Sequence, residues 1–266
     1  MTQKYLFGCI IILFIGSGLF AQTPIPNAHA HNDYEHDRPL LDALDNGFVS
    51  VEADLHLIKG KLYVSHDKPK DLKSTPTLES IYLKPLREII EKNNGKVYPG
   101  YEKYFYLMVD FKTEANSTYE ALRKVLKKYS DILSVIENGK DQVNKPVKVF
   151  ISGNRPIELL MNDPVKYAGL DGRPDDLDKD YFAAIMPVVS DNYRNFMNWD
   201  GNGEVKDKEL EKVKSFIEQA HQQNKKVRLW AAPDTQKGWD LLISLGVDMI
   251  NTDRLSDYNA YMKAKK

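Results

Sequence analysis

The sequence is poor in the features that define several protein classes. It holds a single cysteine, Cys9, so no internal disulfide can be built, and loss of the N-terminal segment that carries it would leave no thiolate either. It has almost no charge excess: 37 Lys and Arg stand against 38 Asp and Glu, a formal net charge of −1. That balance gives no electrostatic drive toward nucleic acid or an acidic membrane, and no nucleic-acid partner is expected. The basic end at 263–266 reads as a solvated tail. Low-complexity segments, linkers and short-period repeats are missing. Histidine is scarce too, six in all, and only His221 follows His66.

One apolar run stands apart. Lys4 precedes residues 5–20, which are broken only by small or weakly polar residues, and Gln22-Thr23-Pro24 then turns polar. A positive start, a short apolar centre and a small residue before a polar stretch make a secretory signal peptide. Cleavage is expected after Ala21, although Leu19 is larger than the usual residue two places before it. The alternative is an uncleaved anchor. Cys9 sits near the start of the run, which disfavours lipidation. Export would deliver residues 22–266 to the periplasm or medium without cysteine.

What remains is ordinary globular material, 42% hydrophobic and 28% charged over 266 residues. Short apolar runs at 25–31, 49–57, 104–111, 147–152, 167–170, 184–189, 226–231 and 249–252 read as strands. Amphipathic stretches at 39–46, 80–93, 117–130, 156–161, 206–223 and 236–245 read as helices. Eight strands with intervening helices predict a single-domain α/β fold, a TIM-like (β/α)8 barrel. Lys59-Gly60-Lys61 predicts a tight turn, so 49–57 and 62–65 form a hairpin.

The chemistry concentrates in residues 28–67. The strand containing Glu52, Asp54 and His56 turns all three to one face. Carboxylates inside a barrel are costly unless paired or bound to metal, and the carboxyl ends of barrel strands are where such folds keep active sites. Two close carboxylates suit a hard divalent cation, Mg²⁺ or Ca²⁺; a structural ion pair is the competing explanation. His31 and His66 each end a strand beside polar residues. Two imidazoles across a metal can serve as general base and general acid.

These motifs resemble the glycerophosphodiester phosphodiesterase superfamily, which also holds phosphatidylinositol-specific phospholipases C and spider-type sphingomyelinases D. The opening His29-Ala30-His31-Asn32-Asp33-Tyr34, the Glu52-Ala53-Asp54 strand and His66-Asp67 are most similar to the subgroup named for altered inheritance of mitochondria. The resemblance implies that His31 and His66 are the catalytic histidines and that Glu52 and Asp54 are metal ligands. It implies a third ligand at Asp110, where Glu is frequent, and a phosphate-facing Lys112. The ends also match: Val227-Arg228-Leu229-Trp230 and 246–253 are similar to the family's last two strands. Two departures stand out. Asn32-Asp33 replaces the usual Arg-Gly, and the segment after His66-Asp67 is short. The implied activity is hydrolysis of a small-molecule or lipid phosphodiester, with no protein partner.

Other positions carry weaker expectations. Asn32, His29, Arg155 and Trp230 are candidates for substrate binding. His29 can equally be a hydrogen-bonded barrel residue, Arg155 a loop arginine paired with an acid, and Trp230 a packing residue. His56 lies on the Glu52 face at a depth the sequence does not fix. Asp171-Gly172 fits either the barrel mouth or a turn. His36 and His221 read as surface residues. One rival is an amidohydrolase or histidinol-phosphatase type of barrel, which binds transition metals through several later histidines that this chain lacks. The other is a barrel that grips a phospho-ligand without turning it over.

Overall fold

The computed structural model describes residues 22–143 and 145–265. The expected signal segment, with Cys9, lies outside the described residues. Eight parallel strands form a nearly closed barrel. They are β1 (Ile25–Ala30), β2 (Phe48–Ile58), β4 (Phe105–Phe111), β7 (Val147–Gly153), β8 (Gly169–Gly172), β9 (Val188–Asn192), β10 (Lys226–Trp230) and β11 (Ile250–Thr252). The neighbours run β10-β9-β8-β7-β4-β2-β1-β11. The seam between β10 and β11 is held by the amides of Asp248 and Met249, both donating to the Val227 carbonyl. The helices outside are α1 (Leu41–Asp45), α2 (Lys84–Lys92), α3 (Ala115–Lys127), α4 (Ile157–Asn162), α5 (Asp207–Gln222), α6 (Gln236–Leu245) and α7 (Leu255–Ala264).

Local chemistry sets these boundaries. Glu114 caps α3 by accepting from the amides of Asn116 and Ser117, and Thr235 caps α6 by accepting from Gly238. Gly246 ends α6 in the left-handed region at φ 87°. The expected hairpin forms: β2 runs antiparallel to β3 (Lys61–Val64) through Lys59 and Gly60, both at positive φ. That hairpin carries His66 back over the end of β2, where the Ser65 amide donates to the Asp54 carbonyl.

The fifth and sixth strands differ from expectation. They lie at 169–172 and 188–192 rather than 167–170 and 184–189. Residues 184–187 are a buried strap instead, with Ile185 accepting from the Leu170 amide. Pro187 has no N–H to offer a ladder, so pairing starts after it. Among the described residues no α-helix lies between β8 and β9; a single 3-10 turn at Pro174–Asp176 takes its place. The hairpin of β5 (Val135–Glu137) and β6 (Lys140–Val143) and the last helix, α7, had no clear sequence signal.

The barrel interior is layered. Met108, Phe150, Val188 and Met249 form an apolar plug across the middle. Above it, toward the carboxyl ends of the strands, the inward residues become polar. The register places Glu52 beside Met108, and Asp54 beside Asp110, which in turn neighbours Ser152.

Candidate active site

Each acidic side chain expected to bind metal points into the chamber. Glu52 and Asp54 on β2 are buried, and Asp110 on β4 is partly exposed. One carboxylate oxygen from each lies within 4.8 Å of the others. Three like charges that close repel unless something positive joins them.

The hydrogen bonds divide Asp54 into two different oxygens. Its Oδ2 accepts from the Tyr34 hydroxyl at 2.8 Å, meets Lys112 Nζ at 3.0 Å and meets His66 Nδ1 at 3.2 Å. Its Oδ1 is buried and has no protein partner among the described residues. Glu52 Oε2 is likewise buried without a hydrogen bond; His29, His31 and Arg228 approach it only to 3.6, 3.9 and 3.6 Å. Buried carboxylate oxygens are rarely left unpaired. Two such oxygens beside a third carboxylate form a donor set of hard oxygens that fits Mg²⁺ or Ca²⁺.

Gly153 makes room for the third. It sits at φ +66°, and a Cβ there would meet Asp110 Oδ1 at 2.4 Å. Only glycine at the end of β7 lets the Asp110 carboxylate hold its place.

The surrounding charges are tuned by contact. Burial works against the Glu52 charge, yet the Arg228 guanidinium and the His29 imidazole hold its pKa at about 2. Burial lowers the His29 pKa to about 4, so this ring is neutral. Burial also pulls at His31, but its hydrogen bond to Asp253 and the Glu52 charge outweigh that and raise its pKa. Burial raises the Asp54 pKa despite Lys112. Burial opposes the Lys112 charge, and Asp110 and Asp54 more than restore it.

A cavity of about 230 Å³ opens over the carboxylates. It is lined by His31, Asn32, Glu52, His66, Asp110 and Lys112 together with Ser152, Arg173, Arg228 and Trp230. A larger groove of about 630 Å³ on the outer face, between the β2–β3 hairpin and α3, contains neither unpaired buried oxygens nor histidines. Size is therefore the poorer guide.

Most expected site residues meet here, with two exceptions. His29 is fully buried, its Nδ1 bonds Ser50 Oγ at 2.7 Å and its Nε2 faces Glu52 at 3.6 Å, so it braces Glu52 and does not line the cavity. Arg155 is turned away to Asp176 at 2.6 Å and to the Asp171 carbonyl. Its place on the cavity wall is taken by Arg173, two residues beyond Asp171 on the next strand, which pairs with Asp171 at 2.8 Å and Ser152 at 3.1 Å. Trp230 lines the cavity and is 38% exposed. His56 lies under the rim, its Nε2 at 3.2 Å from the His66 carbonyl.

Sequence reasoning assigned no role to Tyr34, Asp253, Arg173 or Arg228. Asp253 holds His31 Nδ1 at 2.7 Å. Tyr34, Asp253 and Arg228 lie within the motif stretches themselves, so their position was a usable signal. Arg173 follows a strand too short to mark its own end.

Residues 20–168, more than half of the chain, match the AIM6-like phosphodiesterase domain. The chain belongs to this family. Its similarity to curated members runs almost end to end. It is 27% identical to the altered inheritance of mitochondria protein 6 homolog of Arthroderma benhamiae, over 90% of this chain and 84% of that protein. It is 26% identical to altered inheritance of mitochondria protein 6 of Kluyveromyces lactis, over 88% and 72%. Among solved structures, a glycerophosphodiester phosphodiesterase from Parabacteroides distasonis superposes with a TM-score of 0.58 at 16% identity, covering 92% of this chain and all of that one. An Oleispira antarctica phosphodiesterase in complex with the product sn-glycerol-3-phosphate gives 0.53 at 13% identity, covering 90% and 97%. These two likenesses establish the barrel fold of this AIM6-like domain.

Proposed function

We propose that this protein is a divalent-cation-dependent phosphodiesterase acting on a glycerophosphodiester or phospholipid-type substrate through His31 and His66. The observation that carries this reading is the pair of unpaired buried oxygens, on Glu52 and Asp54, set beside Asp110 in a cavity walled by both histidines. Glu52, Asp54 and Asp110 would hold the ion. A bound Mg²⁺ or Ca²⁺ would offset phosphate charge and polarise the P–O bonds.

The chain's own groups do the rest. Lys112 and Arg228 supply fixed positive charge at the side where phosphate oxygens gather charge. Arg173 adds a second guanidinium to the cavity lining, and Trp230 an aromatic face for the substituent that leaves or stays. One imidazole takes the proton of the nucleophile and the other gives a proton to the departing oxygen. The nucleophile is water or a neighbouring substrate hydroxyl; the second route yields a cyclic phosphate first. Export through the segment 1–21 is part of this proposal and places the substrate outside the cytoplasm.

The test is a panel of phosphodiesters, headed by bis(4-nitrophenyl) phosphate and glycerophosphocholine, assayed with Mg²⁺, Ca²⁺ or chelator, with phosphorus NMR to detect a cyclic product. Turnover should require added cation and fall about 10²–10⁴-fold in His31→Ala and in His66→Ala. Full turnover in chelator, or in either variant, would falsify the assignment.

A further inference from the structure

The family resemblance leaves one local feature unexplained. Where the wider superfamily carries Arg-Gly after the first histidine, this chain carries Asn32-Asp33-Tyr34, and the three residues work as a unit. Asn32 adopts the left-handed region at φ 45° and turns the chain off the end of β1. Asn tolerates that conformation better than most residues. Asp33 then disappears into the protein. One of its oxygens accepts from the Leu40 amide at 2.6 Å and from the Tyr82 hydroxyl at 2.9 Å. With both neighbours pinned, Tyr34 is aimed across the chamber. Its hydroxyl lies 2.8 Å from Asp54 Oδ2, 3.0 Å from Asn32 Oδ1 and 3.4 Å from His66 Nδ1.

We infer that Tyr34 is a positioning residue that fixes the ring of His66 and the carboxylate of Asp54 together. The inference rests on the phosphodiesterase reading for its catalytic meaning, but its geometry stands alone. Asp54 Oδ2 is the shared acceptor for Tyr34, Lys112 and His66. A carboxylate can only accept, so His66 must carry its proton on Nδ1 to meet it. In the neutral ring that leaves Nε2 unprotonated, on a side chain that lines the cavity. The tyrosine hydroxyl, sited against both atoms, favours the ring orientation that keeps Nδ1 toward Asp54. With Oδ2 saturated, Asp54 Oδ1 is the oxygen left over, and it is the buried one without a partner. Tyr34 therefore acts on both the imidazole and the metal-facing oxygen through one carboxylate. Its role is the one that outer-sphere carboxylates and carbonyls play for metal-bound histidines, transferred to a phenol.

The decisive variant is Tyr34→Phe, which removes one oxygen and retains the ring. Protein labelled with ¹⁵N-histidine is examined by NMR in saturating Mg²⁺ at a pH where imidazoles are neutral, with His66→Gln identifying the resonance. Wild type should show His66 protonated at Nδ1. Tyr34→Phe should show a mixture of tautomers, and kcat should fall about 10- to 100-fold with KM within about twofold. A Tyr34→Phe protein with the wild-type tautomer, or with unchanged kcat, overturns the inference. If wild type cleaves no diester at all, the phosphodiesterase reading fails, yet the tautomer measurement still decides what Tyr34 does.

Discussion

Two buried acidic groups face each other across the mouth of this barrel, and they have opposite characters. On the β8 side, Asp171 is fully satisfied. Its Oδ1 accepts from Ser190 at 2.6 Å, and its Oδ2 accepts from Ser152 at 2.8 Å and from Arg173 at 2.8 Å. Asp176 is bound in the same way by Arg155, the Arg173 amide and Lys179. On the β2 side, Glu52 and Asp54 are as deeply buried, but each keeps one oxygen without a partner. Burial alone does not distinguish a structural carboxylate from a ligand. Unpaired oxygens clustered with a third carboxylate do, because there one bound cation can return the free energy that each unpaired buried acceptor costs; Asp33, which also keeps one buried oxygen without a partner among the described residues, has no such neighbours.

The comparison predicts opposite outcomes for similar substitutions. Asp54→Asn and Glu52→Gln should reduce turnover by about 10²–10³-fold, while the thermal midpoint in chelator holds steady or rises, since repulsion among three carboxylates is relieved. Asp171→Ala should cost about 3–5 kcal/mol of stability, because it strands Arg173 and two serine hydroxyls. Denaturant unfolding and steady-state assays on the same preparations would separate the two groups. A large stability loss in Asp54→Asn without cation would erase the distinction.

A third buried acid sharpens it. Asp33 has two neutral donors, both on one oxygen, and burial lifts its pKa to about 6 despite them and the nearby His36. A folded-state pKa above the unfolded one means that the folded protein binds the extra proton. The associated stability is present below about pH 4 and lost as pH rises through 6. Relative to Asp33→Asn, wild type should therefore gain about 3 kcal/mol on going from pH 7 to pH 4. Parallel unfolding curves at both pH values would show that Asp33 is not held in a raised state.

The smallest expected effect concerns Asp253, which is exposed and acts only by contact. It raises the His31 pKa through the 2.7 Å hydrogen bond. In Asp253→Asn, whichever limb of the pH–rate profile His31 governs should move to lower pH. An unmoved profile would assign that limb to another group.

Much of the site was legible in residues 28–67 and 109–112, because there the pattern is short-range. Period-two alternation put Glu52 and Asp54 on one face, and the Lys59-Gly60 turn brought His66 back over them. The region from 169 to 192 was harder. Its strands are four and five residues long, and the apolar run at 184–187 imitates a strand while serving as a strap. Arg155 and Arg173 illustrate the same limit. Both follow strands and both are positive, and only the positions of Asp171 and Asp176 decide which of them faces the cavity.

By itself the sequence determined the class of the fold and most of the composition of the candidate site, since alternation, turns and motif spacing depend on neighbours a few residues away. The tertiary structure alone decided which oxygens are left unpaired, which arginine reaches the chamber and which hydroxyl holds His66. Those outcomes depend on groups brought together from distant strands, down to Asp253 reaching His31 across 222 positions, and no local pattern encodes a contact of that range.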